Sequence, residues 1–514
     1  MTIRPILLAA ALAVAAPALA PAPAIADSAA DNKTLVVGTM WESLPLNMRA
    51  RRSRFFNESE ILDTLIKLDY DMNLVPGLAT SWERTGPETF EFTLREGVTF
   101  HDGTPFDAEA AKLSLERVIA LLPYAAGLLN VASIEASDPQ TLTITTNEPF
   151  AALPNQLTDA ITGIYAASSF DENGDFVQPV GTGPFRFVDY AKQQQTVVER
   201  FDDYWGDAPA FEQVIYRHIP DHNARTIALE TGEIDISINP LPADVVRLKE
   251  SDFKVLAEPS AGLYYGSFNT ADDRPTGDVR VRRALDRLID RSLIVEGALD
   301  GVGMPARSFF SPAFDWVPEG APETPLDPDG AAALLTEAGY EKVDGSWVKD
   351  GEPLTLRILS YSTRTEMPLI TDALSALLAR EGIETSVELF TFPGMMEFVR
   401  AGDYDISIVF WTPEMTGHPD LHLKSQFTTD ATLNFQNWSN AQFDALVNKG
   451  RGLDRGAEWD ETYAEALQIM ADEAMVLPLV HKVYTAATAP DVQGFRVHPS
   501  GFFYDFKSVE KGAE

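Results

Sequence analysis

The feature that most constrains the fold is a run of alternating strand and helix patterns between residues 354 and 411. This alternation predicts a parallel sheet with right-handed crossovers. In open sheets of this kind, ligands bind beyond the carboxyl ends of the strands. The loop 411–422 leaves such an end, so it is a candidate ligand site. The run comprises strands at 354–359, 385–389 and 405–411, a helix at 366–380 ended by Gly382, and a helix at 393–400 ended by Gly402.

The length and charge of the chain limit its architecture and its partners. A chain of 514 residues exceeds what one hydrophobic core usually organises, so two or more domains are expected. The formal net charge is −37, from 40 basic and 77 acidic residues. This disfavours nucleic acid and anionic membrane surfaces, because both bind through clustered lysine and arginine.

The N-terminus has the pattern of a secretory signal peptide. Arg4 precedes a short apolar run, and small-residue cleavage sites follow at 18–20 and 24–26. We therefore predict a signal peptide over residues 1–26. The sequence has no cysteine, so disulfides and a lipid-modified cysteine are impossible. The expected product is a periplasmic protein that is secreted by a cleaved signal peptide and is not lipid-anchored.

Motifs for covalent or metal chemistry are weak in this sequence. There is no Gly-x-Ser-x-Gly elbow, and a cysteine nucleophile is impossible. His418 and His422 are spaced to share a metal from one helix face, but no glutamate follows the first of them as in zinc proteases. Pro419 suits a first helical turn, which favours a capping role for His418. We predict no cofactor and no enzymatic activity.

Three further segments carry local predictions. Residues 262–268 are aromatic and predict a buried strand, followed by a loop and a helix that Asp278 can cap. Asn57 and Glu60 have the spacing of a capping box, which predicts a helix burying Ile61, Leu62, Leu65 and Ile66. Arginines 49, 51, 52 and 54 form either a solvated loop or an anion contact.

Several stretches together resemble family 5 solute-binding proteins of ATP-binding cassette importers. The resemblance extends from about residue 35 to residue 484. It implies an α/β fold, a two-lobed periplasmic binding protein (type II, cluster C-like) with mixed sheets and an extra subdomain in lobe one. The stretches are FNT at 268–270, DVRVRRAL at 278–285, LREGVTFHDGTPFDAE at 94–109, GTGPF at 181–185, DYWG at 203–206 and ETGEID at 230–235.

The resemblance also implies a domain plan and a function. Lobe one would comprise residues 32–267 and 485–514, and lobe two residues 268–484. The protein would capture a short peptide or peptide-like solute by hinge closure and deliver it to an inner-membrane permease, acting as a monomer. A nickel or other metal-chelate ligand is the alternative within this family. A secreted hydrolase with an atypical site, and a chaperone or sensory subunit of the same fold, are the more distant alternatives.

Site residues follow from the same resemblance. Trp411 stands at a strand's carboxyl end, and Glu414 matches the carboxylate by which dipeptide-binding members hold an α-amino group. His422 matches the histidine of nickel-binding members and is the metal candidate if the ligand is a chelate. The arginine that the nickel-binding branch carries is absent from 157–164, and the cluster from Arg49 to Arg54, which includes the ligand-binding candidates Arg49 and Arg51, could supply the positive charge from another loop. Asn269, at the crossing into lobe two, is the remaining ligand-binding candidate.

Overall fold

The computed structural model describes residues 33–41, 60–315, 317–318, 321–412, 415–501 and 503–512. Buried apolar side chains form two large cores. The first contains Leu35, Phe92 and Phe506, and the second contains Leu285, Ile358 and Tyr463. We call the part built on the first core lobe one and the part built on the second core lobe two. The chain is therefore two-lobed, as the sequence predicts.

Strands account for most of the framework of both lobes. In chain order they are β1 Thr34–Thr39, β2 Ile66–Leu68, β3 Leu74–Pro76, β4 Ala79–Arg84, β5 Thr89–Leu94, β6 Val131–Asp138, β7 Thr141–Thr146, β8 Phe185–Ala191, β9 Gln195–Arg200, β10 Gln213–His218, β11 Ile236–Ile238, β12 Lys254–Phe268, β13 Met304–Pro305, β14 Glu341–Val343, β15 Ser346–Lys349, β16 Glu352–Pro353, β17 Thr355–Tyr361, β18 Glu384–Phe390, β19 Ile406–Trp411, β20 Val476–Thr488, β21 Val492–Gln493 and β22 Glu510–Lys511.

Helices cover the sheets in both lobes. They are α1 Ala108–Leu121, α2 Pro123–Leu129, α3 Leu153–Gln156, α4 His222–Glu230, α5 Pro242–Leu248, α6 Val279–Leu288, α7 Arg291–Leu299, α8 Pro328–Glu337, α9 Glu366–Arg380, α10 Phe392–Arg400, α11 Asp420–His422, α12 Ala441–Arg451 and α13 Ala457–Asp472. As predicted, the Asp278 side chain caps α6 by accepting a hydrogen bond from the Arg280 amide.

One eleven-stranded sheet runs through both lobes. Its order is β18-β17-β19-β12-β20-β11-β1-β10-β9-β8, with β13 paired to β20. β17 is parallel to both β18 and β19, which confirms the parallel sheet predicted from the alternating pattern. In lobe one, β1 is parallel to β10 and β11. The long antiparallel pair β12 and β20 joins the two halves.

Lobe one carries a separate small sheet. Its order is β4-β5-β7-β6, all antiparallel. α1 packs against β6 and β7, with Leu115 and Val118 fully buried. This sheet and its helix form the extra subdomain expected in lobe one.

Each of the long strands β12 and β20 contributes side chains to one core along part of its length and to the other core along the rest. Ala261 and Leu263 of β12 belong to the second core, whereas Ala486 of β20 belongs to the first. The main-chain register of the pair shifts between Pro259 and Leu263. Within β12, the apolar packing therefore changes lobe near residue 260.

The helix predicted after Asn57 is wrong. Residues 61–65 have no regular secondary structure, and β2 begins at Ile66. The Glu60 and Ile61 carbonyls accept hydrogen bonds from the amides of Phe185 and Gly183, which fixes this segment against another loop. Every residue from 60 to 66 is buried. The segment therefore lacks the solvent-exposed polar face that an amphipathic helix would have. The capping-box pattern was overridden by these tertiary contacts, and Asn57 itself lies outside the described residues.

Candidate functional site

The carboxyl ends of the parallel strands in both lobes face one cleft. β17, β18 and β19 end at Tyr361, Phe390 and Trp411 on the same edge of lobe two. In lobe one, α4 begins just beyond the carboxyl end of β10. Its first residue, His222, places Nε2 3.5 Å from the Thr365 hydroxyl of lobe two. A ligand in this cleft would touch both lobes, as expected where strand ends meet.

A cation surrounded by aromatic rings lies on the side of the cleft where β12 and β20 join the two lobes. Lys482 on β20 places Nζ 2.8 Å from the Glu366 carboxylate, and its nearest ring centroids lie 5.6 to 5.9 Å away. Burial alone would raise the pKa of Glu366, but the Lys482 ammonium and its hydrogen bond hold that pKa well below its usual range. Glu366 is therefore a carboxylate in this contact. We call the group of Tyr264, Glu366, Phe410, Lys482 and Tyr484 the hinge-side cluster.

Arg364 brings a second positive charge to the same cleft. It follows β17, and its guanidinium carbon lies 4.1 Å from the Phe410 ring centroid and 5.9 Å from that of Trp41 in lobe one. Among the residues that the structure describes, no carboxylate lies within ion-pair distance of this guanidinium. Because an enclosed guanidinium favours an anionic partner, Arg364 is suited to bind a carboxylate on a ligand.

The structure brings two of the predicted site residues together. The rings of Trp411 and His422 make an edge contact with centroids 5.9 Å apart. His422 is buried, and Trp411 is half-buried. His418 turns elsewhere, because its ring packs against Trp459 and Tyr463 of the second core. The two histidines therefore do not face a common site.

Of the remaining predicted site residues, only Asn269 lies in the described part of the chain. Arg49, Arg51 and Glu414 lie outside the described residues. Asn269 is fully buried, and its side-chain amide donates to the Gly402 and Tyr404 carbonyls at 2.9 and 3.0 Å. Its main-chain amide bonds to Asp405, which precedes β19, so Asn269 and Trp411 lie at opposite ends of that strand. This geometry does not support a ligand role for Asn269.

Sequence reasoning missed Arg364 and Lys482. Arg364 follows strand β17 just as the loop 411–422 follows β19, so the carboxyl-end rule applied to each strand would have found it. Lys482 has no comparable signal, since it lies within a long apolar strand. For metal binding, the described ranges hold no group of three histidine, aspartate or glutamate side chains that could enclose an ion.

Side chains join the two lobes along a second line, which we call the interlobe seam. Asn155 of lobe one donates to the Thr416 and Gly417 carbonyls at 2.9 and 3.2 Å. Arg84 donates to the Gly452 carbonyl at 2.9 Å. We define the seam by the contacts of Arg84, Glu148, Ala151 and Asn155 with Thr416, Gly417, Arg451 and Gly452.

Arg451 is the central residue of the seam. Its guanidinium lies 2.7 Å from Glu148 of lobe one and 3.0 Å from the buried Asp420 of lobe two. Its carbonyl accepts a hydrogen bond from the Ala151 amide at 2.7 Å, and its guanidinium carbon lies 4.7 Å from the Phe150 ring centroid. Burial raises the pKa of Asp420 to about 6, and Arg451 opposes this rise.

Residues 73–433, more than half of the chain, match the model of the bacterial extracellular solute-binding proteins, family 5. The chain belongs to this family. Its members are substrate-binding components of ATP-binding cassette transporters; they are extracellular or periplasmic, bind small ligands, and work with a permease. They are binding proteins rather than enzymes. None of the helices in the described part of the chain is long and apolar enough to cross a membrane.

Curated relatives and solved structures agree with this membership. Heme-binding protein A of Haemophilus influenzae is 27% identical over 84% of this chain and 83% of the relative. Di/tripeptide-binding protein 1 of Pseudomonas aeruginosa is also 27% identical, over 84% of this chain and 85% of the relative. The structure of NikA from Brucella suis in complex with Fe(III)-EDTA is similar with a TM-score of 0.85 and 25% identity, covering 93% of this chain and all of that chain.

Proposed function

We propose that the protein captures a short peptide or peptide-like solute between its lobes and delivers it to an inner-membrane permease. The observation that carries this proposal is Arg364. A half-buried guanidinium without a carboxylate partner among the described residues, stacked on Phe410 beside Trp41 of the other lobe, suits the terminal carboxylate of a peptide. Glu414, on the loop beyond Trp411, would pair with the ammonium at the other end.

Closure follows from where these groups lie. Arg364 and Trp411 belong to lobe two, and Trp41 belongs to lobe one, so a ligand that contacts all three binds the closed state more tightly than the open state. The mature protein is expected to begin after a signal peptide ending near Ala26, to act as a periplasmic monomer, and to release its ligand unchanged. Residues 32–267 with 485–514, and residues 268–484, are the expected moving bodies.

Calorimetry on Arg364→Met tests the carboxylate assignment. With a mixture of dipeptides and tripeptides, we expect the wild type to bind and the variant to lose about 30-fold or more in affinity, since truncating one partner of an enclosed charge pair costs about 2–5 kcal/mol. Arg400→Met is the matched control, because Arg400 also approaches an aromatic ring, Phe435, but is exposed outside the cleft. Equal affinities for both variants would contradict the role of Arg364.

A metal chelate is the second candidate, and His422 beside Trp411 is the observation that favours it. The structure of NikA from Brucella suis, with its bound Fe(III)-EDTA, is consistent with this candidate. A chelate would bring most of its own donor atoms, and His422 would coordinate as a neutral imidazole. Binding would then weaken as pH falls through the histidine range, because a protonated ring cannot coordinate a metal.

Nickel with free histidine as the titrant separates the two candidates. For a chelate, His422→Ala should abolish binding, and Glu414→Gln should have little effect. For a peptide, Glu414→Gln should weaken binding, and His422→Ala should have little effect. If neither substitution changes binding of whichever ligand the wild type retains, the loop 411–422 is not the ligand site. Appearance of cleaved products in the peptide titration would favour a hydrolase.

A further inference from the structure

Gln156 is a buried amide that has no hydrogen-bond partner among the described residues. It is the last residue of α3, and its side chain is fully buried. Neither its amide nitrogen nor its amide oxygen has a hydrogen-bond partner in the part of the chain that the structure describes. A buried polar group in this condition costs folding free energy, so a native protein that keeps one commonly uses it.

The rest of this segment satisfies its polar groups. The Thr158 hydroxyl donates to the Asn155 carbonyl at 2.7 Å, and the Thr162 hydroxyl bonds to the carbonyls of Leu157 and Asp159. Burial of polar side chains in this stretch is therefore normally compensated within the stretch. Gln156 is an exception that local packing does not explain.

The position of Gln156 in the chain puts it next to the interlobe seam. The preceding residue, Asn155, binds the Thr416 and Gly417 carbonyls of lobe two. Thr416 is also buried, and its hydroxyl has no hydrogen-bond partner in the described ranges. It lies on the loop that follows β19, five residues beyond Trp411. Two unsatisfied polar side chains, one from each lobe, thus flank a single interlobe contact.

We propose that Gln156 and Thr416 form a neutral polar subsite that binds an amide group of the ligand. A carboxamide offers both a donor and an acceptor, and a hydroxyl offers either, which together match a peptide N–H and C=O. Because the two residues come from different lobes, the full set of bonds forms only when the lobes are closed. The subsite rests on the proposed function in placing the ligand between the lobes, and it selects ligands that carry a peptide bond.

Gln156→Met tests the subsite, because methionine keeps the length of the side chain and removes both polar atoms. We expect two effects of opposite sign. The ligand-free protein should melt at the same or a higher temperature, since an unsatisfied amide is no longer buried. Affinity for the peptide that the wild type retains from a dipeptide–tripeptide mixture should fall about tenfold. Thr416→Val should show the same two signs.

Thr162→Val is the matched control. Its hydroxyl is already satisfied within lobe one, so its removal should lower the melting temperature of the ligand-free protein and leave peptide affinity unchanged. A second titration uses the same peptide methylated at its amide nitrogens. The wild type should lose about tenfold in affinity for this analogue, and Gln156→Met should not distinguish the two peptides.

The outcomes separate this inference from the proposed function. If the wild type binds the peptide and Gln156→Met binds it equally well, the subsite is refuted and the proposed function stands. The same conclusion follows if Gln156→Met only destabilises the ligand-free protein. If the wild type retains no peptide, or retains only nickel with histidine, both proposals fail.

Discussion

The two lobes meet in two physically different ways. At the long strands β12 and β20, the connection is a main-chain ladder from Lys254 paired with Thr488 to Ser267 paired with Val476. At the interlobe seam, the connection consists mostly of side chains bonded to carbonyls or carboxylates, including Arg84, Asn155 and Arg451. The first connection carries the covalent chain between the lobes, and the second carries only noncovalent contacts.

This difference indicates which contacts survive opening. A ladder with a register shift between Pro259 and Leu263 can change its local twist and keep most of its hydrogen bonds. The seam bonds join atoms that separate when the lobes part. The seam therefore adds to the ligand's own contacts in favouring closure, and a ligand shifts the equilibrium only by its differential affinity for the closed state. Five substitutions test this division.

The largest effect is expected at the hinge-side cluster. Lys482→Met would leave the Glu366 carboxylate enclosed without its cation, which should cost about 3–5 kcal/mol of unfolding free energy. Chemical denaturation measures this cost. The double variant with Glu366→Gln should recover most of the loss, because no buried charge then remains. A loss that the double variant leaves unchanged would assign Lys482 a packing role instead.

Gly417→Ala should strain the seam. Gly417 has φ of 66°, and a Cβ there would lie 2.8 Å from the carbonyl of Met72, which is in the turn between β2 and β3. The left-handed backbone alone costs about 1–2 kcal/mol with a side chain. Gly402→Ala is the matched control, with φ of 69°; among the described residues beyond its chain neighbours, the nearest atom to the added Cβ is the Asn269 amide nitrogen at 3.9 Å. Both variants should lose similar stability, and only Gly417→Ala should lose ligand affinity by calorimetry.

His481 provides a pH test on the hinge strand β20. Its ring is buried without a hydrogen-bond partner among the described residues, and burial lowers its pKa to about 3. Below pH 6.5 the unfolded chain binds a proton at this histidine and the folded protein does not, so its contribution to stability is lost as pH falls toward 3. His481→Leu should stabilise the protein by about 1 kcal/mol or more at pH 5, and by less at pH 7.5.

His498, whose ring lies beside the end of β2, is the comparison for His481. Burial lowers the pKa of His498 to about 4, but its ring lies within hydrogen-bond distance of the Leu68 and Asp69 carbonyls and of the Ser500 hydroxyl. His498→Leu should therefore lower the melting temperature at pH 7.5, where His481→Leu raises it. Thermal melts of the two variants that shift in the same direction at pH 7.5 would contradict this distinction.

The smallest effect is expected from Glu148→Gln. This substitution removes the charge of the interlobe ion pair between Glu148 and Arg451 and leaves the Asp420 pair intact. Because Glu148 is largely exposed, the unfolding free energy should change by less than about 1 kcal/mol. Small-angle scattering of the ligand-free protein should nevertheless show a larger radius of gyration. Glu212→Gln, which breaks an exposed pair within lobe one, is the control and should leave the radius unchanged.

The sequence by itself determined the elements and their order. The alternating pattern at 354–411 predicted strands and helices that the structure places at almost the same bounds, including α9 at Glu366–Arg380. It also predicted the parallel pairing of β17 with its neighbours and the cleft edge that carries Trp411. These features depend on hydrophobic periodicity and chain connectivity, which are local properties of the sequence.

Only the tertiary structure decided which polar side chains meet. Arg364 and Phe410 are 46 positions apart in the sequence, and Asn155 and Thr416, which are joined by a hydrogen bond, come from different lobes. The burial of Asn269 and the loss of the helix after Asn57 were equally beyond local patterns, because both result from hydrogen bonds to distant backbone atoms. The hydrophobic periodicity of the sequence indicates which face of a helix or strand is buried. The charge and hydrogen-bond partners of a side chain depend on long-range packing, which no local pattern encodes.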